Sequence, residues 1–276
     1  MSWDSDGVLA TAADELSLSY FQGDSLRTIH TLPLKSPITC LGWSKISDGI
    51  LAGGSRGSIC FWKKSGLFSS DPSRSFIKED KVLDSSTVTA MQFCPSKQNL
   101  LAVAASEVFI MNLDTGLVNS DPNKYVFKLS QNTEKRELSS VSWNPQVQHI
   151  LASASKSGVV TVWDLRNNRT LFNVHDPSYF DKSQCSSLNW NPEIPTQFVV
   201  SYNDPKSPCL QIWDLRKHEY PVKEFRSYHH SGITSTEWCP HDSGIFASCD
   251  SSGLNVVWNF KYGESITSFQ TLENPK

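Results

Sequence analysis

The chain has 276 residues, a formal net charge of −3, 19% charged residues and 38% hydrophobic ones. That balance excludes the basic field with which a nucleic-acid binder neutralises phosphates, so a protein partner is the expectation. Nine Trp and fourteen Phe, each able to bury roughly 150 to 250 Å², suffice to anchor a sizeable core.

The start, MSWDSDGVLATAAD, is acidic and lacks the apolar core of a secretory signal, and no stretch reaches the length of a membrane span. A cytoplasmic protein is expected. The seven cysteines are odd in number and sit mostly in strand-like apolar runs, as free thiols in a reducing compartment do.

In chain order the sequence repeats. The first unit has Trp3 in SWDSD, a small-residue strand LATAA and an alternating strand LSLSYF. The second has Trp43 in GWSKI, then LAGGS, then SICFWK with Trp62. The third has Phe93 in QFCPS in place of the Trp and continues with LAVAA and VFIMNL. The fourth has Trp143 in SWNPQ, LASAS, and VVTVWD ending in Trp163 and Asp164. The fifth has Trp190 in NWNPE, FVVSY, and LQIWDL with Trp213 and Asp214. The sixth has Trp238 in EWCPH, FASCD, and LNVVWN with Trp258. A looser fourth strand closes most units, as in TLFNV and SITSFQTL.

The period of two in the alternating segments predicts half-buried β-strands, and no sustained 3.6-residue stripe predicts helix. Four short antiparallel strands in each unit of 40 to 50 residues is the pattern of a β-propeller blade. The expected fold is therefore all-β, one propeller domain over residues 1–276. Its blades run approximately over 1–34, 35–85, 86–137, 138–181, 182–228 and 229–276. Ala, Gly and Ser suit inner strands that crowd together, while Trp and Leu fill the wider space between blades. The longest interruptions, KKSGLFSSDPSRSFIKEDKVLDSST and DTGLVNSDPNKYVFKLSQNTEKREL, read as outer-edge excursions and surface loops.

Three groups invite a chemical reading. GGSRG, Gly53 to Gly57, matches a nucleophile-elbow pattern, but that elbow must lead into a helix and SICFW is another strand. Ser55 is therefore expected at a hairpin turn. His229, His230, Cys239 and His241 match no zinc spacing, and a His just before a blade's first strand can hydrogen-bond within its blade. Asp164 and Asp214 have Asn112, Asn259 and Lys63 as counterparts in other units, which a general acid would not tolerate. No catalytic, cofactor or metal site is expected.

The Trp-Asp strand ends and the order W(N/S)P…LASAS…VWDLR resemble the WD-repeat family. The match is specific in the fourth and fifth units; Met111 and Asn112 stand where Trp-Asp belongs, and Arg56 and Lys156 replace the Asp of the hairpin turn. Those blades are expected to lack the buried polar network of the regular repeat and to rely on apolar packing. ELSSVSWNPQVQHILASASKSGVVTVWDLRNNRTLFNV, CSSLNWNPEIPTQFVVSYNDPKSPCLQIWDLR and HHSGITSTEWCP more narrowly resemble the N-terminal propeller of the large subunit of the COPII outer coat.

That resemblance implies a non-catalytic scaffold of the cage on vesicles leaving the endoplasmic reticulum. Its implied partners are the small propeller subunit and other copies of the coat subunit at cage vertices, with peripheral membrane association and no nucleic acid. The implied location is the cytoplasmic side of COPII vesicles and endoplasmic reticulum exit sites. The family's propeller has seven blades against six here, so the seventh blade and ring closure are expected to be missing or supplied elsewhere. In the alternative reading, the tandem WDLR ends, with Arg166 and Arg216 as candidate contacts, dock a substrate receptor onto a cullin-RING ubiquitin ligase.

Overall fold

The computed structural model describes residues 2–3, 7–12, 14–23, 25–44, 49–67, 76–81, 86–97, 99–113, 126–129, 137–177, 183–226 and 228–271. They fold into two compact units, Met1–Ser130 and Gln131–Lys276. Each unit holds three four-stranded antiparallel sheets in sequential strand order.

In the first unit the sheets are β1 (Ser2–Trp3), β2 (Val8–Ala12), β3 (Glu15–Gln22) and β4 (Ser25–Pro33); β5 (Cys40–Trp43), β6 (Ile50–Gly54), β7 (Ser58–Lys63) and β8 (Phe76–Lys81); and β9 (Ala90–Phe93), β10 (Leu100–Ala104), β11 (Val108–Asn112) and β12 (Val126–Leu129). A four-residue turn of helix, α1 (Lys64–Leu67), follows β7. The second unit has β13 (Leu138–Trp143), β14 (Ile150–Ser155), β15 (Val160–Asp164) and β16 (Arg169–Val174); β17 (Gln184–Trp190), β18 (Gln197–Asn203), β19 (Cys209–Asp214) and β20 (Lys223–Arg226); and β21 (Ile233–Trp238), β22 (Ile245–Asp250), β23 (Leu254–Asn259) and β24 (Glu264–Gln270). All six sheets are blades of a β-propeller, with one blade for each repeat.

Both long interruptions contain a strand, β8 in one and β12 in the other. The outermost strand of a blade pairs on one side only, so a sequence as polar as FIKEDK can serve there without an alternating apolar signal. Second strands of the second to fifth blades are buried along most of their length; in β14 every residue after Ile150 is buried. The need for small residues is steric. A Cβ on Gly53 would lie 2.9 Å from Cζ3 of Trp62, and one on Gly54 only 2.6 Å from Cγ1 of Val88.

A bulge recurs where the third strand meets the fourth, at Leu18/Ser19, Phe61/Trp62, Val162/Trp163 and Val257/Trp258. Bulges increase local twist, and in the second, fourth and sixth sheets they fall at the third-strand Trp.

The core consists of layers between consecutive sheets. In the first unit Val8, Ala10, Leu16 and Leu18 pack on Ile38, Leu41, Trp43, Leu51 and Trp62, and Ala52, Ile59 and Phe61 pack on Met91, Phe93, Leu101 and Phe109. In the second, Ala152, Ala154, Val160 and Val162 meet Leu188, Trp190, Phe198 and Trp213, and Val199, Leu210 and Ile212 meet Trp238, Phe246 and Trp258.

Candidate functional site

The repeated aromatics form two sets. Trp43, Phe93, Trp143, Trp190 and Trp238 end first strands, Trp62, Trp163, Trp213 and Trp258 lie on third strands, and all nine are buried. Trp3 falls in β1, but its side chain lies outside the described residues.

First-strand indoles join neighbouring sheets. Trp190 Nε1 donates to the carbonyl of Ser142 at 3.1 Å, and Trp238 Nε1 to that of Asn189 at 3.2 Å; each acceptor directly precedes the Trp of the preceding sheet. A second link runs the other way, from the residue after Trp143 and the residue after Trp190. Asn144 Oδ1 accepts the amides of Gln146 and Val147 at 3.0 and 2.9 Å, while its Nδ2 donates to the carbonyl of Pro195 at 2.7 Å. Asn191 repeats this with Glu193, Ile194 and the carbonyl of Ser243, at 3.0, 2.9 and 3.1 Å. One amide thus closes its own turn and ties that turn to the next sheet. Lys223 adds a third link, its Nζ donating to the carbonyl of Phe260 at 2.6 Å.

The third-strand indoles of the second unit, Trp163, Trp213 and Trp258, bond inside their own sheets. Trp258 Nε1 donates to Ser248 Oγ at 2.7 Å, Ser248 Oγ lies 2.7 Å from His229 Nε2, and His229 Nδ1 lies 3.0 Å from Asp250 Oδ2. The directions follow from the donors: the indole N–H points to Ser248, the serine hydroxyl donates to Nε2, and Nδ1–H donates to the carboxylate. Desolvation holds the His229 pKa below its ordinary value, which keeps the ring neutral. Desolvation acts against Asp250 as well, but hydrogen bonds from Ser252, His229 and the Leu254 amide outweigh it and hold its pKa at about 2.

Ser248, His229 and Asp250 have the connectivity of a hydrolytic triad, yet all three are buried. The hydroxyl hydrogen is committed to the ring and the hydroxyl oxygen to Trp258, which leaves no open face for an acyl group. The cluster is a clasp within the blade. His230 is exposed and Cys239 half-buried, and among the described residues no group of three His, Cys, Asp or Glu side chains is arranged to hold a metal ion.

The fourth and fifth blades vary the clasp. Although the fourth blade lacks the Asp, with Ser155 in the register of Asp250, Trp163 Nε1 still donates to Ser153 Oγ at 2.9 Å. Part of the network thus survives where the sequence predicts apolar packing alone, because the Trp–Ser pair spans β14 and β15 and does not need the turn residue. In the fifth blade Gln211 accepts from Tyr202 and Trp213 at 3.1 and 3.2 Å and donates to Asp176 and Glu224.

Ser55 is fully buried. Its Oγ pairs with Ser58 Oγ at 2.8 Å, the Ser55 amide donates to the Ser58 carbonyl at 2.9 Å, and Gly57 at φ 80° makes the turn into β7. That geometry is a hairpin, with no following helix to raise the hydroxyl onto a crest.

Asp164 and Asp214 cap the turn after the third strand. Asp164 accepts from the Arg166 amide at 3.0 Å and from Asn167 Nδ2 at 2.6 Å. Against desolvation, these bonds hold its pKa below the usual value. At Asp214 the largest influence is the guanidinium of Arg216, which holds the carboxyl far below the usual carboxylate range; Gln197 Nε2 adds a bond at 3.0 Å. Arg216 Nε bonds the same carboxylate at 3.0 Å, so its fork is folded onto its own turn although the side chain is 69% exposed. Arg166 is 67% exposed, with Nε 3.7 Å from Asp164.

The sequence assigned no role to Asn144, Asn191, Lys223 or Gln211. The WNP motif signals an Asn-closed turn, but the carbonyl that completes each link lies about fifty residues away and has no local signature.

Comparison with known proteins places this geometry. A family model described as "Nucleolar protein 10-like, N-terminal domain", a β-propeller domain, matches residues 85–274. Protein transport protein Sec31B of Mus musculus is 34% identical over 262 residues, covering 91% of this chain and 22% of that protein. Protein transport protein Sec31A of Gallus gallus is 31% identical over 237 residues, covering 85% of this chain and 18% of that protein. The chain thus spans about a fifth of the length of these relatives. A chain in a solved structure titled "COPII on membranes, outer coat vertex" superposes with a TM-score of 0.78 at 22% identity, over 96% of this chain and 76% of that one. At that identity the superposition speaks for the fold, which it shares. The chain belongs to the β-propeller family described as Nucleolar protein 10-like, N-terminal domain, and is a WD-repeat homologue of the Sec31 protein transport proteins.

Proposed function

We propose that the chain is a non-catalytic scaffold of the COPII outer coat, the cage around vesicles that carry cargo from the endoplasmic reticulum to the Golgi. The observation that carries this reading is the alignment with Sec31B along 91% of the chain at 34% identity. The family match alone speaks for a propeller. The structure adds a chemical reason. The side chains with catalytic potential, Ser55, Ser248, His229 and Asp250, are buried and committed to one another or to their own turns. What the blades offer a partner is their exposed turns and edges.

In this reading the chain acts on the cytoplasmic face of vesicle membranes as part of the coat, and its partners are the small propeller subunit and other copies of the coat subunit at vertices. Arg166 and Arg216 are exposed at neighbouring turns, but Arg216 is neutralised by Asp214. They serve first as turn residues.

The test is assembly. Liposomes bearing reconstituted COPII coat are floated with the purified 276-residue chain fused to the remainder of a Sec31 relative. Co-flotation that depends on the inner coat is expected. A folded fusion that stays in the soluble fraction would contradict the reading.

A further inference from the structure

The third-strand Trp of the second, fifth and sixth blades sits beside the same groove, bounded by the segment that enters from the preceding sheet. In the fifth blade the groove is filled: Asp176, from the segment after β16, meets Gln211, which also bonds Glu224 at 2.8 Å. In the sixth it is filled by Tyr228, edge-on to Trp258 with centroids 4.8 Å apart, and by His229. In the second blade Cys60 stands where the fifth has Gln211, and Glu79 pairs with Cys60 in the register in which Glu224 pairs with Gln211. Here the entering segment contributes Leu32, Leu34 and Lys35 to the walls of the groove without filling it. A cavity of about 210 Å³ remains, lined chiefly by Leu32, Leu34, Lys35, Trp62, Phe76 and Glu79.

The cavity is smaller than the roughly 300 to 1,000 Å³ of sites for drug-sized ligands and suits a single side chain. Its walls are mostly apolar, and Phe76, 43% exposed, lies edge-on to Trp62 at 6.2 Å. In the same position of the sixth blade the chain itself places a tyrosine against the tryptophan. Charges of opposite sign line the cavity. The Cys60 thiol in its wall is pushed up to about 11, chiefly by desolvation, with the Glu79 carboxylate adding to the shift and Lys35 opposing it.

We propose that this cavity is an anchor site for one aromatic side chain of a linear segment of another protein, whose flanking residues of opposite charge pair with Lys35 and Glu79. The site stands independently of the coat reading, since the groove and its charges belong to the β1–β8 region alone.

The probes are acetyl-Glu-Trp-Lys-amide and acetyl-Lys-Trp-Glu-amide carrying 5-fluorotryptophan, with acetyl-Ala-Trp-Ala-amide, similarly labelled, as the neutral comparison. Fluorine NMR follows their titration with the 276-residue chain. One charged peptide is expected to give a saturable shift with a dissociation constant on the order of 1 mM. The neutral peptide and the surface variant Glu79→Lys should each weaken it by about twofold to fivefold, the size of an exposed ion pair. Leu34→Trp, which fills the cavity, should abolish it; if that variant does not fold, Glu79→Lys decides. Absence of a saturable shift with both charged peptides, or identical affinity for Glu79→Lys and the parent chain, would overturn the proposal.

Discussion

The indole of Trp190 donates to the main-chain oxygen of Ser142, 48 residues earlier in the chain. Trp238 does the same to Asn189 across 49 residues. A buried aromatic in the first strand of a blade thus does two jobs, filling the layer between sheets and fixing their register through one polar atom.

Trp190→Ala should therefore destabilise the fold by roughly 3 to 5 kcal/mol, the range for truncating a buried Trp. Trp163→Ala, within its own sheet, should fall in the same range. Equilibrium urea unfolding followed by circular dichroism measures both. A loss below about 1 kcal/mol for either would place its ring outside the packed layer.

Asn144→Ala and Asn191→Ala each remove an Asn-closed turn and a link to the next sheet. Each should cost about 1 to 3 kcal/mol, because a half-buried carbonyl and two turn amides lose their partner. Replacing Asn191 by Asp keeps the turn acceptors but deletes the donor to Ser243, so its unfolding midpoint should fall between those of the parent chain and Asn191→Ala.

His229 makes the sixth blade sensitive to acid. Its pKa in the folded chain lies below the ordinary 6.5, so between those two values the unfolded chain binds more protons than the folded one. Stability is then complete above about 6.5 and declines as pH falls through the window beneath it. Asp250 acts in the same direction at lower pH, with the decline running from its ordinary 3.8 to about 2. Urea midpoints measured from pH 8 to pH 4 should fall, and His229→Gln should flatten the upper part of that curve while lowering stability at pH 8. A parent curve already flat between pH 7 and pH 5 would mean that the ring is not held neutral.

Arg216→Ala should change stability by less than about 1 kcal/mol, since its guanidinium is exposed and screened. Asp214→Ala should cost more, because the Arg216 amide and Gln197 lose their acceptor together. Equal costs would mean that the turn does not depend on the carboxylate.

The architecture was legible because it repeats. Six aromatics, six small-residue strands and six alternating strands mark the sheets, and the strand after Ser55 excludes a nucleophile elbow without coordinates. Less of the site could be read. The Trp163–Ser153 bond survives a missing turn Asp, which the sequence expects to remove the network, because its partners face each other across β14 and β15. Gln211 does the work of a Ser–His pair from a different strand. The links of Asn144, Asn191 and Lys223 join residues that only the stacking of sheets brings together. Periodicity reports which face of a strand is buried; it carries no information about which distant carbonyl an amide will meet.

The claim that this propeller serves the COPII outer coat is tested most directly by exchange. The matching region of mouse Sec31B is replaced by this chain, the chimera is expressed in cells depleted of their own Sec31, and the rate at which a secretory cargo leaves the endoplasmic reticulum is measured. Restored export, with the chimera at sites of vesicle formation, is the predicted result. A chimera that folds and accumulates to normal levels while export stays blocked would contradict it.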